Sequence, residues 1–202
     1  MIVNIQRAMP TQIAASLFLQ DIFAISYGNI EMLVVKCLDD SFAEVICVLK
    51  ILFVCHGNIC RSPMAEFVLK DMVRKERLQD YFEIASAATH WDEIGSPVYA
   101  PARRKLAEHG ISCSGKTARL LEKADMQRYD LLIGMDSANL RNIHRICGGD
   151  PNGKVSLLLD WCGERRDVAD PWYTGDFHAT WDDITRGCRA LLDELVYSRA
   201  YV

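Results

Sequence analysis

From Lys50 onward, short apolar runs alternate with stretches whose apolar residues recur every three or four positions. This alternation predicts strands and helices in turn. Ile51–Val54 reads as a first buried strand, and Ser62 to Leu78 as a helix with Phe67, Val68 and Met72 turned inward. Tyr81–Ala85 predicts a second strand and Val98–His109 a second helix. Tyr129–Met135 is almost continuously apolar, as a strand covered on both faces should be. Ser137–Cys147 then reads as a helix, Val155–Leu159 as a fourth strand, and Thr180–Tyr197 as a closing amphipathic helix. Strands separated by helices imply α/β architecture: a four-stranded parallel sheet with helices on both faces, in three layers. In such sheets ligands bind beyond the carboxyl ends of the strands, so the loop after the first strand is the place to look for chemistry.

The first 49 residues stand outside this pattern and suggest a division into 1–49, an N-terminal extension, and 50–202, an α/β domain. The extension holds two basic and five acidic residues. Ile13–Leu19 and Val45–Leu49 are apolar, but neither reaches the ~18 residues expected of a membrane span. No small-residue cleavage site follows Arg7 and Ile13–Leu19. Two readings remain: a helical segment packed on the domain or a partner, or translation that begins near Lys50. The whole chain of 202 residues carries a net charge of −4, which gives no sign of nucleic-acid or membrane-surface binding. Its eight cysteines are irregularly spaced, which favours a reducing, cytoplasmic setting over a disulfide framework. His56, His90, His109, His144 and His178 are dispersed and form no zinc spacing, so no metal or cofactor is implied. Oligomeric state stays open.

The chemistry concentrates in Cys55-His56-Gly57-Asn58-Ile59-Cys60-Arg61-Ser62, between the first strand and the first helix. Main-chain N–H groups at a helix N-terminus lack partners and attract anions. The same field favours thiolate over thiol. Arg61 adds a planar fork of donors matched to phosphate oxygens. Gly57 and Asn58 suit a loop whose amides converge, since both residue types tolerate positive φ. Ser62 could cap the helix before Pro63 and donate its hydroxyl to the Cys55 sulfur.

Two other matches compete. Cys113 and Arg119 repeat the Cys-x5-Arg spacing, and Gly110-Ile111-Ser112-Cys113-Ser114-Gly115-Lys116-Thr117 fits the nucleotide-binding P-loop pattern. Leu131–Asp136 could even pass for the acidic strand that helps hold magnesium. Both motifs require a buried strand immediately before the loop. Pro101–Gly110 precedes them instead, charged and helix-like, which sets both aside.

Val54–Glu66 resembles the signature of the low-molecular-weight protein tyrosine phosphatases, and Asp170-Pro171-Trp172-Tyr173 is similar to the family's second motif. The resemblance covers Lys50 to the C-terminus. It implies the three-layer, Rossmann-like fold and hydrolysis of phosphotyrosine, in a protein or an aryl phosphate, through a phosphocysteine. It further implies Cys55 as nucleophile, Arg61 as phosphate anchor and Asp170 as general acid, with His56, Gly57, Asn58, Ile59, Cys60 and Ser62 around the phosphate. Trp91, Trp172 and Tyr173 match cleft-lining aromatics, and Ser86 matches a serine that steadies Asn58. Cys60 matches a neighbouring thiol able to trap an oxidised Cys55 reversibly. Relatives that act on phosphoarginine carry threonine where Ile59 stands, so Ile59 points to phosphotyrosine. Arsenate reductases of the same fold need further cysteines spaced for a relay, and the remaining cysteines are scattered. Many members place a histidine near Lys116, so this chain departs from the pattern there.

Overall fold

The computed structural model describes residues 21–27, 30–36 and 48–196. The chain divides into two compact units, one of Val48–Leu192 and one of Met1–Cys47 with Asp193–Val202. In the latter, β1 (Asp21–Tyr27) and β2 (Ile30–Lys36) pair antiparallel, from Asp21↔Lys36 to Tyr27↔Ile30. The expectation of a helical extension is thereby corrected for these residues. The signal was present: β-branched residues on both sides of Gly28-Asn29, with Phe23 and Tyr27 before it, and a two-residue composition typical of tight hairpins between them. The apolar run Ile13–Leu19 lies outside the described residues.

Four parallel strands form the main sheet: β3 (Leu49–Cys55), β4 (Phe82–Ala88), β5 (Leu131–Gly134) and β6 (Val155–Leu157), in the order β4-β3-β5-β6. β3 is the first strand of this sheet, as expected, and starts one residue before the anticipated domain boundary. Leu49 is fully buried and pairs with Phe82. The helices are α1 (Arg61–Lys75), α2 (Ala100–Glu108), α3 (Asp125–Arg128), α4 (Ser137–Cys147), α5 (Pro171–Thr174) and α6 (Phe177–Val196).

Alternation along β3 feeds two layers. Leu52 and Val54 join Tyr129, Leu132 and, from α4, Ile143 and Cys147 in one core. Ile51 and Phe53, of opposite pleat, are equally buried. Helix α1 packs along β3 and β4, and the Cys188 thiol of α6 points at the Ala65 carbonyl of α1.

Several elements end sooner than their hydrophobic runs. Helix α1 stops at Lys75 rather than Leu78 because Arg77 takes a left-handed backbone, φ 59°. Strand β6 stops at Leu157 because the chain turns to drop Leu158 onto α6. A Cβ on Gly187 would lie 2.5 Å from Leu158 Cγ, so only glycine permits this approach. Strand β4 runs on to Ala88, whose carbonyl accepts the Leu121 N–H, while its own N–H donates to the Arg119 carbonyl. Residues 119–121 thus lie along the end of β4. The P-loop-like stretch 110–117 follows helix α2 and not a strand, in keeping with its exclusion.

Candidate active site

The sheet order places β3 between β4 and β5, and the crevice opens at their carboxyl ends. Cys55 closes β3, residues 89–95 leave β4, and Asp136 follows β5. These three edges meet at a cleft of ≈ 250 Å³ lined by Cys55, His56, Gly57, Ile59, Cys60 and Arg61 on its floor. Asp92 and Glu93 form one wall, and Asp170, Trp172 and Tyr173 another.

The floor is built from below by a chain of hydrogen bonds. Cys55 Sγ lies 3.0 Å from Ser62 Oγ. Asn58 Nδ2 donates to Ser62 Oγ at 2.8 Å and to Ser86 Oγ at 2.7 Å, and Asn58 Oδ1 accepts the Arg119 N–H at 3.2 Å. Asn58 adopts φ 56°, the left-handed backbone that asparagine tolerates better than most residues. Gly57 does not share it. Its lack of a side chain instead makes room for Glu93, whose Cγ would be 3.3 Å from a Cβ there. The side chains of Asn58 and Ser62 are fully buried beneath the loop, so they support the loop rather than line the cleft.

Ser62 is not the helix cap. Helix α1 begins at Arg61, and no side chain caps it. The hydroxyl is committed to Asn58 and Cys55, and the loop curls into helical register one residue early.

Ser86 passes the network on. Its hydroxyl donates to Glu66 Oε2 at 2.6 Å. Lys116 Nζ reaches the same carboxylate oxygen at 3.1 Å and donates to the Ser86 carbonyl at 3.1 Å. The position where the family pattern was broken is therefore occupied by a cation that braces both ends of Ser86.

Arg61, only 5 % exposed, carries a carboxylate on each terminal nitrogen: Asp136 at 2.8 Å from Nη1 and Asp170 at 2.5 Å from Nη2. Burial alone would lower the guanidinium pKa. The Cys55, Asp170 and Asp136 charges outweigh it and raise the pKa instead. Asp136 escaped the sequence reading, which compared it only with a magnesium-binding acid. Its visible signal was that of an N-cap at a strand end, and Asp136 Oδ1 does accept the Asn139 N–H at 2.6 Å.

Cys60 lines the cleft but is almost wholly covered. Burial, then the neighbouring Cys55 and Asp170 charges, push its thiol up to about 12, so it is protonated at neutral pH. His56 and His90 stack at 3.9 Å, and His56 Nε2 lies 3.5 Å from Asp92.

Trp91 does not line the cleft; it is 75 % exposed. The turn at 92–95, bonded from the Ile94 N–H to the Trp91 carbonyl, sends Asp92 and Glu93 inward and leaves the indole outside. On the facing wall, Asp170 caps α5 by accepting the Trp172 N–H at 3.0 Å. Helix α6 holds the residue before it by both main-chain groups. Asp183 accepts the Ala169 N–H at 3.0 Å, and Thr180 Oγ1 donates to the Ala169 carbonyl at 2.8 Å. Asp183 also takes Arg166 by both guanidinium nitrogens, at 2.8 and 2.5 Å, and Arg186 at 2.7 Å.

A thiol at a strand end, a buried guanidinium and an opposing carboxylate, set at the carboxyl edge of a parallel α/β sheet, define a site of the cysteine-dependent phosphatase class. The chain belongs to the family described as low molecular weight phosphotyrosine protein phosphatase, whose model matches residues 50–200. It is 36% identical over 146 residues to the low molecular weight protein-tyrosine-phosphatase YfkJ of Bacillus subtilis, covering 71% of this chain and 94% of that protein. The low molecular weight phosphotyrosine protein phosphatase of Gallus gallus is 36% identical over 149 residues, covering 71% and 94%. The crystal structure of Bacillus subtilis YfkJ superposes with a TM-score of 0.70 at 35% identity, over 72% of this chain and 92% of that one.

Proposed function

We propose that this protein hydrolyses phosphotyrosine through a phosphocysteine, with Cys55 as nucleophile, Arg61 as phosphate anchor and Asp170 as general acid. The observation that carries the reading is a single arrangement. The Cys55 sulfur, held by Ser62, lies on the same cleft floor as a guanidinium braced by two carboxylates, one of them Asp170 on the facing wall. In the first step the sulfur bonds to phosphorus, the phosphorus–phenolate bond breaks, and Asp170 protonates the departing oxygen. In the second, Asp170 takes a proton from water, the water oxygen bonds to phosphorus, and the sulfur leaves with its electron pair. Arg61 and the loop amides meet the three non-bridging oxygens, where positioning and electrostatics supply most of the rate. Trp172 and Tyr173 supply faces for the phenyl ring.

Ile59, buried beside Cys60 and Ala118 on the cleft floor, supports an aryl over a guanidino phosphate. The reductase alternative finds no support among the other described thiols. Cys113, Cys147, Cys162 and Cys188 take no part in the cleft, and burial raises the pKa of Cys113, Cys147 and Cys188. Among the described residues every cysteine is free, which supports a cytoplasmic setting, and no helix is long and apolar enough to cross a membrane. The chemistry as written needs no metal or cofactor.

The test compares Cys55→Ser and Asp170→Ala on aryl phosphates of good and poor leaving groups. Cys55→Ser should abolish turnover. Asp170→Ala should reduce kcat about 10²-fold or more for the poor leaving group and far less for the good one. Equal losses would remove Asp170 as the acid, and turnover surviving Cys55→Ser would remove the mechanism.

A further inference from the structure

Trp172 belongs to two concave surfaces. One face closes the cleft over Cys55. The other joins Tyr99, Pro101, Arg104, Pro171 and Phe177 around an adjoining groove of ≈ 410 Å³. The groove is built on aromatic rings, with Tyr99 centred 5.6 Å from Trp172 and 6.3 Å from Phe177. Tyr99, Trp172 and Tyr173 are 40 %, 59 % and 86 % exposed, a cluster of apolar surface beside a polar cleft. Such clusters mark contact with another macromolecule. The side chain of Arg104, exposed on α2, makes no ion pair or hydrogen bond among the described residues. The two carboxylates adjoining the groove wall in sequence are already committed, Asp170 to Arg61 and the Trp172 N–H, and Asp176 to the His178 and Ala179 N–H groups of α6.

A groove lined by aromatic rings and an unpaired guanidinium is matched by a carboxylate with a short apolar stem. Asp92 and Glu93 line the cleft and not the groove, where Arg104 is the one charged residue among the described lining. A small aryl phosphate seated over Cys55 does not extend into the groove. An extended polypeptide placing its phosphotyrosine over Cys55 lays an adjoining residue across Trp172 and into the groove. We infer that this groove is a subsite for an Asp or Glu side chain adjoining the phosphotyrosine of a polypeptide substrate, with Arg104 as its partner. The inference rests on the phosphatase reading above and names its substrate class.

The experiment measures kcat/KM of wild type, Arg104→Gln and Arg104→Glu on phosphotyrosine peptides. The peptides carry Glu or Gln at the positions before, or the positions after, the phosphotyrosine, and p-nitrophenyl phosphate serves as reference. Wild type should prefer Glu over Gln on one flank by about two- to five-fold, the scale of an exposed ion pair. The preference should vanish in Arg104→Gln and invert in Arg104→Glu, while p-nitrophenyl phosphate turnover stays unchanged in both. Equal rates on Glu and Gln peptides in wild type, or a Glu preference that survives Arg104→Glu, would overturn the subsite. Failure of wild type to turn over p-nitrophenyl phosphate would instead remove the phosphatase reading itself.

Discussion

The Cys55 sulfur is held by side chains buried beneath its loop. Ser62, Asn58 and Ser86 form a buried line from the Cys55 sulfur to the Glu66–Lys116 pair. Glu66 also takes Lys70 at 2.5 Å, so two cations balance its one carboxylate. Removing Lys116 leaves the Ser86 carbonyl without that donor and shifts Glu66 toward Lys70. A net hydrogen bond is worth about 1 kcal/mol, so the expected cost of Lys116→Met is roughly a five-fold loss in kcat with KM little changed. The rate at which iodoacetamide alkylates Cys55 at a fixed pH should change too, because the sulfur's hydrogen-bond partner loosens. Lys116→His, which can donate to Glu66, should recover part of the loss. Unaltered kcat and alkylation in Lys116→Met would make the lysine a bystander. The local preferences around Cys55 were legible in the chain, since strand, left-handed Asn58 and Arg61 are neighbours. Lys116 and Glu66 were not, because no spacing links positions 50 residues apart.

At the scale of elements, the facing wall depends on α6. Asp183 gathers Arg166, Arg186 and the Ala169 N–H, and so fixes the residues just before Asp170. Burial alone would raise the Asp183 pKa; hydrogen bonds from Arg166 and the Ala169 N–H, with the Arg166 charge, outweigh it and hold it below the usual carboxylate range. A folded-state pKa below the unfolded value stabilises the fold above the unfolded pKa of about 3.9, and that stabilisation is lost as pH falls through the folded value. Asp183→Asn should therefore cost about 1.5–3 kcal/mol at neutral pH, a fall in Tm of roughly 3–12 °C for a domain of this size. The deficit should shrink steadily below about pH 4. Thermal melts of both proteins from pH 7 to pH 3 check this, and a deficit that persists in acid would mean that the ionised carboxylate is not the stabilising species. The amphipathic pattern of α6 predicted a closing helix. It did not disclose that one acidic position on that helix anchors the residue just before Asp170.

For the molecule as a whole, the parallel sheet and its four helix-linked strands follow the periodicity closely, whereas the N-terminal stretch does not. Its described residues pair as β1 and β2, and Leu49, assigned to the extension by composition, is part of β3. We propose that the catalytic domain begins at Val48 and that what precedes it is a separate extension. A chain starting at Val48 should fold, unfold in one transition and keep the kcat/KM of the full protein. A start at Lys50 removes fully buried Leu49 and should lower stability by about 2–5 kcal/mol. Thermal melts and aryl phosphate kinetics of the two truncations check this; insoluble or inactive protein from the Val48 start would give the extension a structural role.

What the sequence determined by itself is local: the alternation of strand and helix, the turn that holds Cys55 and Arg61, and the second motif at Asp170. These depend on residues a few positions apart, where periodicity, backbone preference and capping act. What only the tertiary structure decided is which distant side chains share a space. Asp136 reaches Arg61 because β5 lies beside β3, Lys116 reaches Glu66 because residues 119–121 run along the end of β4, and Glu93 replaces Trp91 at the cleft because Gly57 leaves room for it. Strand order and close approach are properties of the packed sheet, and no single stretch of the chain contains them.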